Sequence, residues 1–155
     1  MLKGIAAALF SATYLFGVTS DARWSATLQP QNGSKVSGTA TVEAKGADST
    51  RFSVSVRGAP TNTTLNWHLH NGKCAEAGSI VGEQTSYPEL KAGAGGTAES
   101  MVTLPVAPPS SGAFSIQVHR SAEGSGGGAK SDDAGAMGSK ALVSCGELKP
   151  LGTNP

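Results

Sequence analysis

"RFSVSVR", residues 51–57, changes character at every step. Phe52, Val54 and Val56 fall on one side, Ser53 and Ser55 on the other. A period of two marks a strand with one buried and one wet face. The stretch before it, "KVSGTATVEA" (35–44), repeats the pattern: Val36, Ala40 and Val42 oppose Ser37, Thr39, Thr41 and Glu43. "WSATLQP" (24–30) comes earlier, and "QNGS" between the two holds an Asn-Gly pair, a strong hairpin signal. Further strands are expected at about 66–70, 98–104, 113–119 and 141–148. "GAPTNTT", "AEAGSIVGEQTSYPELKAGAGG", "APPSSG" and "RSAEGSGGGAKSDDAGAMGS" read as the turns and loops between them. No stretch beyond the amino terminus carries a helical period. Seven or eight antiparallel strands point to an all-β sandwich or flattened barrel.

The 155 residues suit one domain. "MLKGIAAALFSATYLFGVTSDARWSA" opens with Lys3, runs apolar from Ile5 to Val18, then turns to small residues. That is a secretory leader, assigned to 1–22, with the mature domain at 23–155. The apolar run falls short of the roughly 20 residues of a membrane span. No span is expected after cleavage, and the destination is secreted or periplasmic. The net charge of +1 gives no footprint for nucleic acid. In an oxidising compartment the two cysteines, Cys74 and Cys145, are expected to pair. Their bridge closes a loop for which chain entropy gives roughly 4 kcal/mol.

The chain has 3 histidines. "WHLHNGKC" (67–74) carries His68 and His70 two apart, hence on one face of a strand, with Trp67 and Leu69 on the other. Trp67 and Leu69 are the natural core face, so the histidines look outward. In "AFSIQVHR" (113–120), Phe114, Ile116 and Val118 form the apolar face, and His119 falls with Ser115 and Gln117 on the polar one. Imidazole is the commonest metal-binding side chain, and three imidazoles suit copper or zinc. Spacing alone does not bring His119 to the pair, and outward histidines satisfied by loop and water fit the pattern too.

"WHLHNGKCAEAGS", "FSIQVHRSA" and "GSKALVSCGEL" resemble, in order, segments of copper/zinc superoxide dismutases. The upstream "VSGTATVEAKGADSTRFSVSVRGAPTNTTLNWHLH" is similar to that family's opening strands. The resemblance implies an eight-stranded Greek-key flattened β-barrel with an intrachain Cys74–Cys145 disulfide. It also implies copper ligation by His68, His70 and His119. The sequence departs from the family at the zinc half. Ile80 stands where a histidine would bridge copper and zinc; Tyr87 and Glu89 stand near two further zinc ligands. One carboxylate does not make a four-ligand zinc site, so zinc is not expected. Lys140 takes the place of the arginine that guides superoxide; it lacks the planar fork, and a solvated loop lysine is the competing reading. Arg120, next to His119, is expected to point to the opposite face.

These readings combine into a secreted or periplasmic superoxide dismutase-like protein that binds copper through three histidines, with weak or no dismutation. The same residues admit a copper carrier without turnover, a copper-only dismutase, or a non-catalytic structural or adhesion domain. No G-x-S-x-G element, paired catalytic carboxylates or phosphate loop points elsewhere.

Overall fold

The computed structural model describes residues 22–121 and 141–151. The leader expected over 1–22 lies outside them but for its last residue, and Lys140 lies outside them too, with the glycine-rich segment from 122. The strands are β1 (Arg23–Pro30), β2 (Ser37–Gly46), β3 (Ser49–Arg57), β4 (Thr64–Lys73), β5 (Glu76–Ile80), β6 (Leu90–Lys91), β7 (Ala98–Leu104), β8 (Phe114–Arg120), β9 (Leu142–Glu147) and β10 (Lys149–Leu151). One 3-10 turn, Gln84–Ser86, is the only helical element among the described residues.

Eight strands form a continuous curled antiparallel sheet in the order β5-β4-β8-β9-β1-β2-β3-β7. The short β6 adds to β4 and β10 to β1. Chain order and sheet order part at the β3–β4, β6–β7 and β7–β8 connections, which cross between the halves as in a Greek key. β1 makes the corner: Arg23–Leu28 pair with β2, while Gln29 and Pro30 pair with β9. Gly146 of β9 belongs to the same corner, since a Cβ there would sit 2.5 Å from the Thr27 carbonyl oxygen. The all-β, eight-stranded expectation is met.

The alternating stretches behave as their patterns require. Phe52, Val54 and Val56 are buried, and so are Ala40 and Val42 on the neighbouring strand. The "QNGS" segment is a tight turn in which the Ser34 N–H donates to the Gln31 carbonyl at 2.9 Å. Asn32 and Gly33 at its centre have φ of 50° and 73°, the left-handed pair such hairpins use. Apolar side chains from both halves meet inside. Phe52, Trp67 and Tyr87 form an aromatic knot, with Trp67 and Tyr87 edge to face at 5.0 Å.

Residues 75–96, expected as loop, carry β5, the 3-10 turn and β6. Four of the five β5 residues are exposed and show no apolar alternation. β5 is a strand because its backbone pairs with the edge of β4, with His70 opposite Ile80 and Gly72 opposite Ala77. Gly72 makes that hairpin possible with φ 94°.

Cys74 and Cys145 are bonded, with Cα atoms 5.9 Å apart. The bridge ties the β4–β5 turn to β9. The Cys74→Ser variant is expected to lose about 2–4 kcal/mol of stability. Urea denaturation of oxidised wild type and variant checks this; equal midpoints would show that the bridge is energetically idle.

Candidate metal centre

Trp67 and Leu69 are fully buried in the core, which turns His68 and His70 to the outer face of β4. β8 runs beside β4 in a fixed register: Asn66 opposite His119, His68 opposite Gln117, His70 opposite Ser115. Side chains opposite each other across an antiparallel pair share a face. Register therefore delivers His119 to the face of His68 and His70, one pair-step along. A histidine remote in sequence thus joins the pair in one group.

The three rings form a near-equilateral triangle. Their centroids lie 6.1 Å (His68–His70), 6.2 Å (His68–His119) and 6.1 Å (His70–His119) apart. One ring nitrogen from each lies within 4.8 Å of the others, and the group can hold a metal ion. Bonds of about 2.0–2.1 Å to one ion place imidazole nitrogens roughly 3.4 Å apart. Ligation therefore requires the nitrogens to draw closer than that 4.8 Å limit.

Tautomer and charge favour ligation. Nδ1 of His70 lies 3.0 Å from the Gly78 carbonyl oxygen, which can only accept, so Nδ1 carries the proton. The lone pair is left on Nε2, a buried atom with no hydrogen-bond partner. A backbone carbonyl holding the far nitrogen is the usual support of a metal-binding histidine. His68 has its pKa lowered to about 4, first by burial and then by the neighbouring His119 and His70. Burial likewise lowers His119 to about 4, with a smaller push from His70. Both are neutral at pH 7, and no proton has to leave them before a metal binds.

The positions compared with zinc ligands do not join the group. Ile80 is half-buried opposite His70 in the β4–β5 ladder. Tyr87 is buried with its ring centroid 5.3 Å from that of His68, and its hydroxyl donates to the Val81 carbonyl at 2.5 Å. Burial lifts its pKa to about 12, partly offset by the Leu69 amide, so the phenol keeps its proton. Glu89 is exposed and 4.0 Å from the Lys91 ammonium. Arg120 is exposed at the end of β8.

Compared with protein-family models and with curated proteins, the chain matches none.

Four participants escape a reading of side-chain types. The Gly78 carbonyl that fixes His70 is a backbone atom on a strand without sequence signal. Ser115 and Gln117 were legible as polar-face residues, yet both are buried, which depends on what folds over that face. Tyr87 touches His68 only through tertiary packing.

The metal-free protein is expected to lose stability as pH falls from 6.5 towards 4. The unfolded chain protonates His68 and His119 near their ordinary value of 6.5, whereas the folded chain resists until about 4. Stability from these groups is therefore complete above 6.5 and declines below it. Urea melts at pH 7, 6 and 5, where carboxylates stay largely ionised, should show the decline in wild type and a flatter profile in the His68→Gln/His119→Gln double variant. Parallel profiles would contradict the assignment.

Proposed function

We propose that this chain is an extracytoplasmic superoxide dismutase-like protein that binds one copper ion through His68, His70 and His119, with weak or no turnover of superoxide. One observation carries the reading: three imidazoles converge, and the buried Nε2 of His70 is left without a partner. A buried acceptor with no hydrogen bond is costly, and a metal satisfies it. Three neutral imidazoles suit copper in either oxidation state. The order of the strands, the Cys74–Cys145 bridge and the histidine positions all agree with the sequence resemblance to copper/zinc superoxide dismutases. The disulfide favours an oxidising compartment. Among the described residues no helix is long and apolar enough to cross a membrane.

Copper held by His68, His70 and His119 would supply one-electron redox chemistry. The chain's contribution is to hold the imidazoles neutral and oriented. Its weakness is proton supply. Ile80, opposite His70, has no proton to give, and Tyr87, beside His68, keeps its own. Dismutation consumes protons, so turnover is expected to be slow. Lys140 remains the proposed stand-in for the superoxide-guiding arginine.

Copper titration of the disulfide-oxidised protein, followed by EPR, tests this. Wild type should take one Cu(II) with nitrogen hyperfine structure, and His119→Ala should lose stoichiometric binding. Binding indifferent to His119, or no stoichiometric binding, would leave a structural domain on this fold. A dismutase assay then separates the catalytic alternatives. A kcat/KM near the diffusional ceiling of about 10⁸–10⁹ M⁻¹s⁻¹ would mark a true copper-only dismutase; the expected value lies far below it.

A further inference from the structure

We infer that Tyr87 is a positioning residue for the histidine cluster: it fixes the ring of His68 and so shapes the copper site, an inference that rests on the copper reading above. Tyr87 enters through a gap at the edge of the sheet. On its outer edge β4 pairs with β5 at His70, Gly72 and Lys73, and with β6 at Thr64 and Leu65. Between these ladders no strand pairs with the edge over Asn66–Leu69. Val81 reaches one end of the gap, its N–H donating to the Leu69 carbonyl at 2.8 Å. Tyr87 is anchored onto Val81 through its hydroxyl.

From that gap one ring touches two consecutive residues of β4 that point in opposite directions. Tyr87 meets core-facing Trp67 at 5.0 Å with an interplanar angle of 86°. It meets outward-facing His68 at 5.3 Å and 80°. Alternation forbids such a double contact from above either face of a sheet; it is open only to a side chain at an unpaired edge. The ring thereby ties the orientation of His68 to the rigid aromatic core.

His68 needs this support more than its neighbour does. The His70 ring is held by the Gly78 carbonyl. Among the described residues, no hydrogen bond restrains either nitrogen of His68. Its ring is set by packing, and Tyr87 is the nearest ring to it, at 5.3 Å against 6.1 Å for His70 and 6.2 Å for His119. Edge-to-face contact has a preferred geometry, so it orients the ring as well as burying it. The alternative role, a redox-active tyrosine beside the metal, fits poorly. Oxidation of a phenol releases a proton, and the hydroxyl faces a carbonyl, which is no base.

The test compares wild type, Tyr87→Phe and Tyr87→Leu, with Tyr87→Met in reserve should the leucine variant not fold. Metal-free protein is read first by NMR. Wild type should show NOEs between the Tyr87 and His68 rings. The leucine or methionine variant should shift the His68 ring resonances and leave those of His119 in place, and phenylalanine should restore them. Copper affinity should then fall about 10-fold or more in Tyr87→Leu, as for loss of a ligand-orienting neighbour, and stay within about twofold in Tyr87→Phe. The Cu(II) EPR parameters should move with the affinity. Absence of the wild-type NOEs overturns the inference, as does a leucine or methionine variant with wild-type His68 resonances. Unchanged copper affinity in that variant also overturns it. A wild type that binds no copper is a failure of the copper reading instead, and the metal-free NMR still decides what Tyr87 does.

Discussion

The arrangement depends on the two-residue repeat of β4, locked by the burial of Trp67 and Leu69. Both are fully buried, and Trp67 sits in the aromatic knot with Phe52 and Tyr87. A one-residue slip would bring Trp67 and Leu69 to the outer face and drive two imidazoles into the core. Burying apolar side chains of this size is worth about 1.5–3 kcal/mol each or more. Register at β4 is thus set by hydrophobic energy, and the histidines inherit their direction from residues that have no chemistry of their own.

β8 adds the third histidine by the same logic. Ile116 and Val118 are buried, so Ser115, Gln117 and His119 share the opposite face. The ladder between β4 and β8 converts a sequence separation into proximity. The resulting face differs from an ordinary wet sheet surface. His68, Ser115 and Gln117 are buried on it, and two of its polar atoms, Nε2 of His70 and Oγ of Ser115, have no hydrogen-bond partner. Buried polar groups normally find partners. A face that leaves them unpaired trades stability for a site, the usual tension where a ligand is meant to bind.

The segment that follows β4 makes the face a site. It leaves β4 at Cys74, which the disulfide ties to β9. It returns along the β4 edge as β5, where Gly78 holds His70, and then brings Tyr87 against His68. Covalent, hydrogen-bonded and packing contacts succeed one another along a single stretch. Burial of the imidazoles also keeps His68 and His119 neutral, because desolvation penalises the charged form.

Much of this was legible in the residues. Alternation at 35–44 and 51–57 revealed the strands and their inner faces, because a strand's side-chain period is fixed by backbone geometry. The Asn-Gly pair marked the first hairpin, because few residue types accept left-handed backbone. The outward direction of all three histidines followed from the same period. What the sequence could not decide was distance. Whether His119 meets His68 and His70 depends on which strands become neighbours and in what register, and that is settled by long-range packing. β5 was invisible for a related reason: it is a strand through backbone pairing to an edge that other strands create. The Gly78 carbonyl and the ring of Tyr87 became supports of the site only once that edge existed. By itself the sequence determined which way each side chain faces; the tertiary structure alone decided which of them meet.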